Sequence, residues 1–479
     1  MLVLHNRARP APAPSIATAA ALAFGLVAAT ASPALADDPE AQGFGPDNVI
    51  VLIGDGMGYD QIDAASLYRD GTSYNQFGVD PDTGEVEREP SEASAVYEDF
   101  DVQLSAATYP EGGSYDPATA WSDFDYVNNG YTDSAASGTA LATGVHTDNG
   151  LVGLDPDLLP VRNLTERAQE TGRASGVVSD VPFSHATPAA FVAHNEDRSA
   201  YDQIAREMLT EHELDVVMGA GHPHRDEDGR PVDEAQYDYV DEDTYESASA
   251  GETGFTFVEE ADDFADLAET STPPERVFGL AQVAATLQYD RSGPDLDEDG
   301  EPIEGSEPYD AAFNEDVPSL AEMASGALNV LDHSSDEGLF LMVEGGAIDW
   351  AGHDNNINRL IEEQNEFDRA VEAVVDWVEA ESSWQETLVV VTADHETGYL
   401  AGPGAGEDGG WTPLTGEAGE LPEHSWHSGD HTNMLVPVYA QGPGASRMQH
   451  HAHYEDPVQG AYLEHTDIAN TVFDFWGRG

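Results

Sequence analysis

The sequence predicts an α/β protein: a three-layer α/β/α sandwich around a central, mostly parallel sheet. Two observations carry this. Short apolar runs, continuous rather than alternating and often β-branched, each stop at a small or acidic turn, as strands buried on both faces do. Helical patterns lie between these runs, and alternation of strand with helix stacks helices against both faces of a sheet. The chain has 479 residues, 40% of them apolar and 9% aromatic, which suffices for one large domain carrying insertions.

Taken in order, the first run (residues 48–53) enters Gly54-Asp55-Gly56-Met57-Gly58. Residues 132–140 are a stretch of small side chains that opens a helix. The run 174–178 leads into Ser179-Asp180, and 338–343 leads into Glu344-Gly345-Gly346. Residues 357–378 place Leu360, Ile361, Phe367, Ala370, Val371, Val374, Val375 and Val378 on one helical face. The run 387–391 leads into Thr392-Ala393-Asp394-His395, and 434–439 follows Asp430-His431-Thr432. Polar segments near 70–125, 219–272, 292–312 and 400–430 are read as acidic surface insertions of a single domain over 37–479, not as linkers.

The charge is lopsided. Asp and Glu number 93 against 17 cationic residues, every one of them Arg, for a formal net charge of -76. Such a surface excludes nucleic-acid binding through a basic face and disfavours docking on anionic membranes. Because the acids are spread along the chain, the excess is read as adaptation to high salt, where screening relieves self-repulsion. Arg7 and Arg9, an apolar stretch over 16–29 and Ala34-Leu35-Ala36 have the three parts of a signal peptide (1–36) cut after Ala36, so the protein is expected to be secreted or periplasmic. No later run approaches the ~20 apolar residues of a bilayer span, so no membrane anchor is expected. Cysteine is absent, which removes disulfides, Cys-zinc sites and lipid-bearing Cys.

In open α/β sheets ligands bind beyond the carboxyl ends of the strands. Asp55, Glu344, Asp394 and His395 stand at such ends, and His431 lies just before the last run. Asp349 and His353, spaced i, i+4, share a face if their stretch is helical. Carboxylates gathered at one sheet edge repel one another unless a cation joins them; Asp/His mixtures suit zinc and all-oxygen sets suit magnesium. Ser134 falls near a helix N-terminus, where backbone N–H groups favour an anion. The plain alternative is an N-cap serine. With no general-base His close in sequence, a serine nucleophile here would need activation by a metal.

Gly54-Asp55-Gly56-Met57-Gly58, Asp133-Ser134-Ala135-Ala136-Ser137, residues 343–349 with His353, Thr392-Ala393-Asp394-His395 and His431-Thr432 occur in one chain in one order. This set resembles the alkaline phosphatases. The resemblance implies that family's fold, and a homodimer is common in it. It implies hydrolysis of phosphate monoesters through a phosphoserine on Ser134. It implies two Zn2+ ions, one held by Asp349, His353 and His431 and one by Asp55, Asp394 and His395. It also implies one Mg2+ held by Asp55, Thr187 and Glu344, and Arg198 as the phosphate clamp. An Arg fork on two non-bridging oxygens favours a monoester dianion over a diester.

His185 and Trp350 depart from many bacterial members, which have Asp and Lys there. The expected effect is altered indirect contact with phosphate and magnesium. Of the nearby histidines, His424 and His427 are expected to be solvated or to touch the site only indirectly, and His450, His451 and His453 to lie on the surface. Residues 295–300 open like a calcium loop, but Ser306 stands where Glu is needed, so an ordinary acidic loop is expected; residues 226–229 are weaker still. Two other readings stay open: a diesterase or sulfatase of the same superfamily, and a non-catalytic extracellular cation-binding protein.

Overall fold

The computed structural model describes residues 45–79, 86–88, 93–296, 302–303, 305–406 and 410–477. The signal segment 1–36 lies outside the described residues.

Eleven strands make one sheet: β1 (Asn48–Gly54), β2 (Val102–Ala107), β3 (Ala174–Pro182), β4 (Val216–Ala220), β5 (Thr256–Val258), β6 (Val277–Leu280), β7 (Leu339–Gly345), β8 (Thr387–Ala393), β9 (Val436–Gln441), β10 (Tyr454–Asp456) and β11 (Gly460–Glu464). Their order across the sheet is β10-β11-β2-β9-β8-β1-β7-β3-β4-β6-β5. From β8 to β5 all neighbours pair in parallel. Val49 to Ile53 of β1 are fully buried. Since successive side chains point to opposite faces, both faces of the sheet are covered.

The flanking helices include α1 (Tyr59–Asp70), α2 (Ser134–Thr143), α3 (Ala186–Ala190), α4 (Leu320–Ser334), α5 (Ala347–His353), α6 (Ile357–Glu381) and α7 (Thr466–Trp476). Helix α4 starts in a capping box between Ser319 and Glu322, and α6 starts where the Asn356 side chain accepts from Arg359 N–H. The apolar stripe predicted on α6 is buried along its length. The result is the α/β architecture that the alternation of elements predicts.

Three features differ from the sequence reading. The run 434–439 was expected as one more buried parallel strand, but β9 lies antiparallel between β8 and β2. The reason is topological. A short ribbon pairing Glu396–Thr397 with His431–Thr432 returns the chain to the edge where β8 ends, so the next strand must run back. Next, the segments 70–125 and 219–272 are not wholly surface: β2 and β5 within them are strands of the sheet. Finally, Asp295 is buried rather than solvated and takes two hydrogen bonds from the buried Arg359, at 2.8 and 3.0 Å.

Candidate active site

Strand register sets the frame. Gly54, Gly345 and Ala393 are level at the carboxyl edge of β1, β7 and β8, so Asp55 and Asp394 project just past it and Glu344 sits beside Ile53. Gly56 turns the chain with φ 75, a left-handed value that glycine adopts without strain. A Cβ there would lie 2.7 Å from Asp349 Cα, so glycine is what lets this turn pack against α5.

Asp349 and His353 share one face of α5, and His431 reaches them from the ribbon. His353 Nδ1 lies 2.8 Å from the Gly429 carbonyl, and His431 Nδ1 lies 2.8 Å from the Thr132 carbonyl. A carbonyl only accepts, so in the neutral ring each Nδ1 carries the proton and each Nε2 keeps its lone pair. Those two Nε2 atoms are 3.0 Å apart, and Asp349 Oδ1 is 3.4 and 3.5 Å from them. Three acceptors thus face one another without a proton to share, which is the arrangement a cation resolves.

The same logic holds one step away. Thr397 Oγ1 donates to Asp349 Oδ1 at 2.5 Å, so it accepts from His395 Nδ1–H at 3.2 Å. This leaves His395 Nε2 as a lone pair, 3.2 Å from Asp394 Oδ2, 3.5 Å from Asp55 Oδ1 and 3.3 Å from Ser134 Oγ. Asp55, Asp394 and His395 are all fully buried. Asp394 is itself fixed through Oδ1 by Gly56 N–H and its neighbour's N–H.

A third group lies behind these two. Asp55, His185 and Glu344 offer ligand atoms within 4.8 Å of one another, and Thr187 Oγ1 donates to Asp55 Oδ2 at 3.4 Å. Asp55 Oδ1 and Glu344 Oε1 are buried without a hydrogen-bond partner. His185 packs edge-on against Trp350, with ring centroids 5.9 Å apart.

The electrostatics follow from crowding. Burial, then Asp394, Asp349 and Glu344, push the Asp55 carboxyl far above its ordinary range. Burial raises Glu344 to about 8, and burial with Asp349 raises Asp394 to about 6. Burial, then the other imidazoles and Arg198, hold His395 far below the usual histidine range. Burial and Arg198 bring His185 down to about 3, so it is neutral at working pH. Protein alone makes this a poor place for ionised carboxylates; divalent cations would reverse that.

Ser134 begins α2, whose N-cap is Asp133. Asp133 Oδ1 accepts from Ala136 N–H at 2.9 Å, while Oδ2 accepts from Gly150 N–H and from Arg198 Nη1, both at 3.0 Å. Arg198 Nη2 lies 3.5 Å from His185 Nε2. Burial would favour a neutral guanidinium, but Asp133 outweighs it and raises Arg198 above its ordinary value. Asp133, Ser134, Arg198, Trp350, His353 and His431 line one open pocket.

All twelve residues singled out in the sequence lie at or beside this edge. His424 and His427 do not join the cluster: His424 Nδ1 bonds the Pro422 carbonyl, and His427 bonds Ser425 Oγ. Sequence reasoning missed Thr397, Asp133 and the buried Ser137 and Ser179, which donate to Asp394 and Glu344. Asp133 and Ser137 stood inside the quoted serine motif, so their signal was present but unassigned.

The comparisons agree with this geometry. The model of a family described as alkaline phosphatase matches residues 46–416. Alkaline phosphatase 4 of Bacillus subtilis is 27% identical over 496 aligned residues, covering 90% of this chain and 89% of that protein. Alkaline phosphatase H of Pseudomonas aeruginosa is 30% identical over 441 residues, covering 84% and 81%. Among solved structures, a cold-active alkaline phosphatase from a psychrophilic Shewanella matches with a TM-score of 0.60 at 25% identity, covering 90% of this chain and 99% of that one. The family match spans most of the chain and the relatives align along nearly all of it, so this protein belongs to the alkaline phosphatase family and is an enzyme that hydrolyses phosphomonoesters.

Proposed function

We propose that the chain cleaves phosphate monoesters through a phosphoserine on Ser134, in a centre built for two zinc ions and one magnesium ion. Asp349, His353 and His431 would hold one zinc, and Asp55, Asp394 and His395 the other. Asp55, Thr187 and Glu344 would hold magnesium, with the neutral His185 reaching it only through water. The observation that carries this reading is the convergence of three imidazole lone pairs and crowded carboxylates beside the buried hydroxyl of Ser134. Mixed imidazole and carboxylate sets suit zinc, the oxygen set suits magnesium, and the orphaned oxygens of Asp55 and Glu344 fit that assignment.

When bound, the ions supply positive charge that neutralises the carboxylates, acidifies the serine hydroxyl and stabilises the departing alkoxide. The chain's own residues do the rest. Ser134 Oγ attacks phosphorus in line, its bond to phosphorus forms as the bond to the alcohol oxygen breaks, and the alcohol leaves. Arg198 grips two non-bridging oxygens, held in position by Asp133. Water then cleaves the phosphoserine, releasing inorganic phosphate and restoring the hydroxyl. Export through the signal segment 1–36 and function in concentrated salt belong to the same proposal, supported by the sequence alone.

Ser134→Ala tests it. Turnover of an aryl phosphate should fall by about 10⁴-fold or more, with metal content unchanged by elemental analysis. Acid quenching with a labelled substrate should leave phosphate on the wild-type chain and none on the variant. Retained turnover overturns the nucleophile, and a faster rate on diesters than on monoesters overturns the substrate class.

A further inference from the structure

Away from the catalytic pocket, His194, Glu207 and His212 each offer a ligand atom within 4.8 Å of the other two. His194 Nε2 lies 3.1 Å from the Val161 carbonyl, which can only accept, so in the neutral ring the proton sits on Nε2 and Nδ1 keeps its lone pair. That Nδ1 faces Glu207 Oε1 at 3.5 Å, and His212 Nε2 approaches the same oxygen at 3.2 Å. The three side chains are 12 to 18% exposed, shielded yet reachable by an ion from solvent. Burial works against the Glu207 carboxylate, but the contacts it makes with the two histidines, among them the His194 backbone N–H, prevail and hold it down to about 2, so it is ionised at neutral pH.

The location gives the cluster a purpose. His194 opens the segment that ends in Arg198. Glu207 belongs to the helix Tyr201–Thr210, and His212 follows its end. The His194 N–H already donates to Glu207 Oε1 at 2.9 Å. We propose that His194, Glu207 and His212 form a further zinc site, distinct from the catalytic centre, that fastens the loop bearing Arg198 to the helix after it. Two nitrogens and one carboxylate are a zinc donor set with one position left for water, and nitrogen donors disfavour magnesium and calcium.

The test equilibrates the full wild-type chain, His212→Gln and Glu207→Gln with the same free zinc at pH 7.5, then counts zinc by mass spectrometry after gel filtration. The wild type should hold one zinc more per chain than either variant, and zinc should raise its melting temperature further than theirs. Equal zinc content in all three overturns the site and leaves an imidazolium–carboxylate pair. His212 lies in a turn, so its variant reports even if Glu207→Gln does not fold. Monoester turnover measured in parallel reports on the Ser134 centre separately: lost turnover with the extra zinc retained would count against that reading alone.

Discussion

Thr397 does no chemistry of its own, yet it orients two groups at once. Its hydroxyl donates to Asp349 and accepts from His395 Nδ1–H, which points His395 Nε2 at Ser134. Thr397→Val keeps the shape and removes both bonds, leaving a buried N–H and a buried carboxylate oxygen short of a partner. Turnover should fall about 10 to 100-fold and zinc should be released at lower chelator concentration, since partners behind metal ligands have effects of this size. Thr397→Ser should restore most of both; full activity in the valine variant would show that the hydroxyl is idle. Asp133 is the counterpart on the phosphate side, where one carboxylate caps the serine helix and aligns Arg198. Asp55, Glu344, Asp394 and His395 are legible from sequence because each ends an apolar run. The link from Thr397 to Asp349 and the partnership of Asp133 with Arg198 are not, because these partners lie tens of residues apart and meet only once the sheet edge has formed.

The same contrast holds for whole elements. β1, β3, β7 and β8 announce themselves as continuous apolar runs because they sit mid-sheet with both faces dry. β2 is written Val-Gln-Leu-Ser-Ala-Ala, with Gln103 exposed, and carries no such signal. Its place is set by the strands on either side. Helix α1 shows how packing can oppose the chemistry of a side chain. Asp63 is fully buried on it, with Oδ1 accepting from the N–H groups of Tyr74 and Asn75 and Oδ2 unpaired. Burial, then Glu98, raises its carboxyl to about 8, while Glu98 itself is raised by burial to about 7. The folded chain therefore keeps protons that the unfolded chain releases near pH 4. Between that pH and about 8 the folded state binds more protons, so these two groups make stability fall as pH rises. Asp63→Asn keeps the acceptor and discards the titration. At pH 8.5 it should be more stable than wild type by about 1 to 3 kcal/mol, with a smaller gain or a loss at pH 5, read by denaturant unfolding at both values. An equal shift at both pH values would mean that Asp63 does not titrate in this window.

At the scale of the molecule, three of the few cations are used where they cannot offset the surface. Arg291 and Arg359 are fully buried and paired with Glu362 and Asp295, and Arg198 is committed to Asp133. What remains outside is dominated by carboxylates, from a total of 93 acids against 17 arginines. Like charges over such a surface oppose compaction, and at ~1 M salt the screening length falls to ~3 Å, short of most gaps between surface charges. Raising KCl from about 0.1 to 2 M should therefore raise the melting temperature by roughly 10 °C or more, NaCl should act alike, and most of the gain should come below about 1 M, because screening saturates while exclusion effects of strongly hydrated salts do not. The same field acts on the substrate. A phosphate dianion approaching this surface is repelled until it reaches Arg198, so kcat/KM should rise with ionic strength, the reverse of an enzyme that draws its anion in through a basic funnel. Repulsion acts on the encounter rather than on the reacting atoms, so the rise should lie in kcat/KM while kcat stays nearly level wherever the fold is intact. A melting temperature flat across that range of salt, or a kcat/KM that falls with it, would show that the acidic surface has no part in either stability or substrate capture.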